Sequence, residues 1–236
     1  MMLAFVMTAC YGSETPSTTA EQPATEQQED MLSLELRDSM TPAEVLQAFK
    51  DGNQRFLDGN LRVRKFVTEI NETSMGQNPY AIVVSCIDSR VPVETIFDKR
   101  FGEIFSSRLA GNVINSDVIG GVEFATALAG AKLVVVMGHT SCGAVKGAIA
   151  DAEYGNLTGL LGKIKPADDS LRTGLDPIID PSSETYTDMV ASKNVELSIK
   201  QLRSASPELT RMEQEGRILI VGAMYDIATG AVTFLD

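Results

Sequence analysis

Ala81-Ile82-Val83-Val84-Ser85-Cys86-Ile87-Asp88-Ser89-Arg90 is a short apolar run that ends in residues able to bind metal or pair with charge. The same order returns in Leu133-Val134-Val135-Val136-Met137-Gly138-His139-Thr140-Ser141-Cys142. Each apolar run reads as a buried strand, so each polar group falls at a strand C-terminal end. In an open α/β sheet the crevice outside those ends is where ligands bind. Two thiols and an imidazole gathered there make the protein part of a Cys2His zinc site, and three protein ligands leave a fourth position open for chemistry.

Working outward, strands and helices alternate. Thr41-Pro42-Ala43-Glu44 is a helix start, with Thr as N-cap, Pro at the first helical position and Glu three residues after the cap. Leu46, Phe49, Asn53 and Phe56 follow at helical spacing up to Gly59. Residues 62–79 read as a loop. Strands are expected at 80–85, 103–109 and 132–137. Helices are expected at 92–97, at 118–129 with a cap at Ser116 or Asp117 and a stop at Gly130, and from after His139 to about Asp151. Residues 154–183 are rich in turn formers. A helix over 184–204, a break and short helix at Pro207, and strands at 217–225 and 231–235 joined at Thr229-Gly230 complete the chain. The expected fold is α/β: a mostly parallel sheet of four strands plus an antiparallel edge strand, helices on both faces, and an N-terminal helical arm. There is no internal repeat, no G-x-G-x-x-G after the first strand and no Walker loop.

The 236 residues, 44% of them hydrophobic, suffice for one substantial domain, taken here as 40–236. A net charge of −12 argues against nucleic acid or an anionic membrane surface as the main partner and favours a small substrate. Three cysteines, Cys10, Cys86 and Cys142, are too few for a disulfide scaffold. Residues 1–10 are mostly apolar, and Met7-Thr8-Ala9-Cys10 resembles a lipoprotein box, in which the cysteine is lipidated after cleavage. Residues 11–39 follow as an acidic tether with few apolar residues, expected to be disordered. An apolar leader, a cysteine and a polar tether suit a bacterial cell-envelope lipoprotein attached through Cys10. A cytoplasmic protein with a ragged N-terminus is the alternative.

The spacing within Cys86-x-Asp88-x-Arg90 assigns different work to each residue. A thiolate binds zinc strongly, and a carboxylate two residues on can reach the same metal and close its fourth position. Arg90 offers a planar guanidinium that pairs bidentately with a carboxylate. Held by Arg90, Asp88 leaves the fourth position to water; released, it silences the site. His139 is the only histidine in the chain. A Cys86–Cys142 disulfide would leave His139, Asp88 and Arg90 without a purpose. A phosphatase-like use of Cys86 and Arg90 fails because the loop between them is too short to wrap a phosphate, and a thiol-redox use lacks a C-x-x-C pair.

These two motifs resemble, residue by residue, the zinc-binding motifs of the β-class carbonic anhydrases. The resemblance runs from about Thr41 to Asp236 and includes Gly52-Asn53-Arg55-Phe56, Leu109-Ala110-Gly111-Asn112, Gly143-Ala144-Val145 and the Gly230–Leu235 strand. It implies one zinc ion held by Cys86, His139 and Cys142, with Asp88 and Arg90 as the catalytic dyad and Asp88 a metal ligand only in a closed state. It also implies reversible hydration of carbon dioxide to bicarbonate, and a homodimer or dimer-based tetramer in which the first helix packs on a neighbouring subunit. Gln77 aligns with a glutamine that lines the substrate pocket in plant-type members. The inhibitory bicarbonate pocket that some members build partly with tryptophan has no counterpart in a chain without Trp. Hydrolysis of carbonyl sulfide or carbon disulfide on the same scaffold, and non-catalytic binding of zinc and bicarbonate, are the alternatives.

Overall fold

The computed structural model describes residues 32–173 and 179–235. The leader-like segment 1–10 with Cys10, and the acidic stretch as far as residue 31, lie outside the described residues. The helices are α1 (Leu34–Ser39), α2 (Pro42–Leu57), α3 (Phe66–Thr73), α4 (Val93–Ile96), α5 (Ser116–Glu123), α6 (Gly143–Ile149), α7 (Gly155–Leu161), α8 (Lys165–Arg172), α9 (Glu184–Ala205) and α10 (Pro207–Gln214). The strands are β1 (Ala81–Ser85), β2 (Ile104–Arg108), β3 (Leu133–His139), β4 (Leu219–Tyr225) and β5 (Val232–Leu235). They form one sheet in the order β2-β1-β3-β4-β5. The first four are parallel and β5 runs antiparallel along β4, as expected from the sequence. Among the described residues no helix is long and apolar enough to cross a membrane.

β1 and β3 are buried along their whole length, which explains their unbroken apolar runs. Alternate residues serve opposite faces. Ile82, Val84, Val134 and Val136 pack with Val118, Val122, Val195 and Leu202 on one side. Ala81, Val83, Leu133, Val135 and Met137 pack with Val45, Phe49, Ile96 and Phe97 on the other.

Helix α2, read from the sequence as an arm, lays its apolar stripe against its own chain. Its capping box forms as read: the Thr41 N–H donates to Glu44 Oε2 at 2.7 Å and the Glu44 N–H to Thr41 Oγ1 at 3.3 Å. Its apolar stripe finds its partner within the chain, where Val45 and Phe49 are fully buried and the Phe49 ring lies 4.7 Å from that of Phe97. Asn53 ties α2 to two elements at once, donating to Ile96 O and Gly230 O and accepting from the Val232 N–H.

Four other expectations are corrected. Helical structure is present before residue 40: Ser33 caps α1, and Arg37 donates to Ala129 O at 2.6 Å, an anchor that the acidic composition upstream concealed. Residues 62–79 contain α3, an inverted helix whose buried residue is Glu69, held by Arg64 at 2.8 Å, while Phe66, Val67 and Ile70 face outward. Such a helix lacks the inward apolar stripe that a periodicity reading seeks. Asn115, rather than Ser116 or Asp117, caps α5, because its side chain accepts from the Val118 N–H. That helix then widens to π geometry over Phe124–Leu128 before Gly130 turns the chain at φ 84°. Within 154–183 lie α7 and α8; the latter buries Asp168 completely against Lys165, Arg172 and Tyr186, again a charged rather than apolar anchor.

Gly52 lets α2 approach the sheet layer, since a Cβ there would lie 2.1 Å from the Phe97 carbonyl oxygen. In an unhindered helix interior Gly→Ala stabilises by about 1 kcal/mol. Here the sign should reverse, and Gly52→Ala should destabilise the fold by about 2 kcal/mol through overpacking. Urea unfolding of both proteins measures the difference; a variant more stable than the parent would refute the close approach.

Candidate metal centre

Cys86 is the first residue past β1, and His139 is the last residue of β3. The two strands are parallel neighbours with Ser85 paired to Met137, so both residues emerge at the same end of the sheet. Cys142 arrives just before α6 after a tight reversal in which Ser141 adopts φ 53°. That strained turn is held from two sides. The Ser141 N–H donates to Asp188 Oδ1 at 2.8 Å and its hydroxyl to Glu184, both on α9. The Thr140 N–H donates to Tyr225 O, and Thr140 Oγ1 accepts from the Ile227 N–H at 3.1 Å.

The three candidate ligand atoms lie within 4.8 Å of one another and all three residues are buried. The sulfurs are 4.0 Å apart. His139 Nδ1 lies 2.9 Å from the Thr140 carbonyl oxygen. A carbonyl only accepts, so Nδ1 carries the hydrogen and Nε2 keeps its lone pair for a metal. Nε2 is buried with no hydrogen-bond partner. An orphan of this kind costs roughly 1–3 kcal/mol unless something electron-poor meets it. Two sulfurs and one imidazole nitrogen are the donor set zinc favours.

The thiols cannot both ionise side by side. Cys86 is pushed down by its contact with Cys142, helped by His139 and by the Gly111 N–H, which donates to its sulfur at 3.2 Å. The same contact, together with burial, pushes the Cys142 thiol up. Burial disfavours the His139 imidazolium, yet the neighbouring Cys86 sulfur outweighs it and raises the imidazole's pKa. A divalent cation would let both sulfurs ionise.

Asp88 and Arg90 form the pair that their spacing suggested. Arg90 Nε donates to Asp88 Oδ1 at 2.9 Å, Nη2 to Oδ2 at 2.8 Å, and the Arg90 N–H to Oδ1 at 2.9 Å. These bonds hold the Asp88 carboxyl well below the usual carboxylate range. Its Oδ2 lies 4.0 Å from His139 Nε2, beside the cluster yet bound to the guanidinium.

Gln77 is not brought to this cluster within the chain. It is exposed beside Gly102, before β1 begins. The cluster lies past the far end of that strand, about 17 Å along it.

Arg108, at the end of β2, was not singled out by the sequence. It donates through Nε to Cys86 O at 3.0 Å and through Nη2 to Asp88 O, fixing the turn that carries both residues. The available signal was a lone cation at the tip of a strand, which is easily taken for a solvated end.

The Carbonic anhydrase family profile matches residues 81–232, a span that contains both strand-end motifs. The chain belongs to the carbonic anhydrase family. Over 204 residues it is 31% identical to carbonic anhydrase 2 of Mycobacterium tuberculosis, covering 83% of this chain and 93% of that protein. It is 32% identical over 197 residues to a carbonic anhydrase of Mycolicibacterium smegmatis, covering 81% and 92%. Among solved structures it is similar to a tetrameric β-carbonic anhydrase of Sordaria macrospora, with TM-score 0.65 and 25% identity over 82% of this chain and 94% of that one. A β-carbonic anhydrase of Aspergillus fumigatus gives TM-score 0.64 and 26% identity over 82% and 89%. The protein is thus an enzyme of the β-class carbonic anhydrases, and its Cys86–His139–Cys142 cluster is compatible with zinc.

Because the two thiols cannot both ionise without a cation, any zinc bound by this cluster must displace at least one proton from the pair. Affinity should therefore rise with pH, by about tenfold per unit for each proton released. Chelator competition across the neutral range measures it, and a pH-independent affinity would refute the shared proton.

Proposed function

We propose that this chain catalyses the reversible hydration of carbon dioxide to bicarbonate, with Cys86, His139 and Cys142 holding one zinc ion. The observation that carries this reading is the bidentate Arg90–Asp88 pair beside the three donors. When bound, zinc acts as a Lewis acid that makes a water-derived nucleophile available near neutral pH, chemistry for which carbonic anhydrases are the standing example.

Asp88 does two things here. Its depressed pKa keeps it a carboxylate, so it accepts a hydrogen bond from the nucleophile and aims it rather than donating a proton. Its pairing with Arg90 keeps it from occupying the position that the nucleophile needs. His139, the only histidine in the chain, is committed as a ligand, so the released proton leaves by carboxylates, water or buffer. Two thiolates cancel much of a divalent charge, so activity rises toward alkaline pH.

Stopped-flow hydration of carbon dioxide from mildly acidic to alkaline pH tests the reading, with zinc content determined on the same sample. One zinc per chain and turnover rising with pH are expected. Arg90→Ala should free Asp88 to close the site and lower kcat on the order of a hundredfold. Zinc-loaded protein without turnover at any pH would sink the reading, and unchanged turnover in Arg90→Ala would sink the role of the pair.

The chain also suits assembly into homodimers or dimer-based tetramers. β2 ends the sheet with an exposed edge, and Val67 on the inverted α3 is 74% exposed with Phe66 and Ile70 beside it. Gln77 could line a substrate pocket only in a second copy. Sedimentation should give a mass at least twice that of the chain, and Val67→Glu should lower it; a monomer at micromolar concentration would refute the assembly.

A further inference from the structure

Helix α9 lies close against β3 and β4 because two glycines leave room for it. A Cβ at Gly138 would come within 2.9 Å of Val195 Cγ2, and one at Gly222 within 2.9 Å of Val195 Cγ1. Val195 therefore seats the helix on the sheet, and Asn194, its neighbour in the chain, is pressed onto the turn formed by Ala110–Asn112. Asn194 is buried, at 4% exposure, and its Nδ2 donates to the Gly111 carbonyl at 2.8 Å.

Gly111 is held in a single way. Its φ is 63°, and a Cβ would meet Ile164 Cδ1 at 2.5 Å, so only glycine occupies the position without strain. In that conformation its N–H donates to Cys86 Sγ at 3.2 Å. The Asp88 N–H, on the same turn as Cys86, also favours the thiolate; Gly111 is the backbone donor brought in from a separate element. Cys142 is placed differently, near the Ala144 and Val145 N–H groups at the start of α6.

We propose that Asn194 is a positioning residue of the metal centre: by fixing the Gly111 carbonyl it keeps the Gly111 N–H aimed at the Cys86 sulfur. An N–H directed at a thiolate draws charge from it. Paired thiolates otherwise damp the Lewis acidity of the ion they hold, so this contact restores acidity on the Cys86 side. Residues that orient ligands from behind in this way affect metal affinity although they touch no metal. The inference rests on the proposed binding of zinc by Cys86, His139 and Cys142.

The test substitutes cobalt(II) for zinc in Asn194→Leu and Asn194→Asp, which keep the side-chain size and remove the donor. The sulfur-to-cobalt charge-transfer absorption should move to longer wavelength in both, because an unbonded thiolate gives up its electrons more readily. Zinc affinity by chelator competition should fall roughly tenfold. Ser198→Ala, a buried polar change one turn further along α9, serves as the control for packing alone and should leave the band in place. Fully loaded Asn194 variants with an unmoved band and unchanged affinity would overturn the inference while leaving the zinc reading intact. A parent protein that takes up no metal at the three donors would overturn both. Should neither Asn194 variant fold, the cadmium-113 form of the parent protein decides: the Gly111 amide proton should show through-hydrogen-bond coupling to cadmium, and its absence overturns the inference.

Discussion

The parallel pairing of β1 with β3 is the constraint on which the rest of this enzyme depends. Matching Ser85 to Met137 sets Cys86 and His139 at one sheet end, and a slip of one residue would turn each donor to the opposite face. Both strands lie inside the sheet with apolar layers on both faces, so the register is fixed by burial on two sides. Cys86 and His139 inherit their positions from the valines of these two strands.

What the register brings together is electrostatically unfavourable. Two sulfurs 4.0 Å apart and an unpartnered imidazole nitrogen are costly to bury without a cation. The surrounding structure surrounds this cost with fixed donors instead of removing it. Arg108 clamps the backbone of the Cys86–Asp88 turn, Gly111 turns an N–H toward one thiol, and α9 holds the Ser141 reversal through Asp188 and Glu184. Arg90 meanwhile occupies the Asp88 carboxylate, which lies beside the three donors. In the proposed mechanism an open site thus comes from pairing a competitor with its own cation.

Much of this was legible in the sequence because the decisive signals are local. Strand runs ending in Cys86 and His139, the Thr41–Glu44 capping box and the two-residue step from Asp88 to Arg90 each act within a few positions along the chain. Misreadings arose where a segment is anchored by charge rather than apolar periodicity. α3 buries Glu69 and exposes Phe66 and Ile70, α8 buries Asp168, and α1 is held by Arg37 reaching Ala129. The apolar stripe of α2 was real, but its partner was distant in sequence and lay within the same chain, at Phe97 and Tyr80. Arg108 and Asn194 act through backbone carbonyls of other elements, and nothing in their sequence neighbourhood announces such contacts.

A final consequence concerns the topology of the chain as a polymer. Cys86 and Cys142 are 56 residues apart, and an ion binding both would close that length into a loop as a disulfide does. Cross-linking a loop of that size removes entropy from the unfolded chain worth about 4 kcal/mol. The loop carries the edge strand β2, α5 and β3, half of the parallel sheet. The ion proposed for the reaction would then also act as a clasp, coupling the unfolding of the sheet to the departure of the metal.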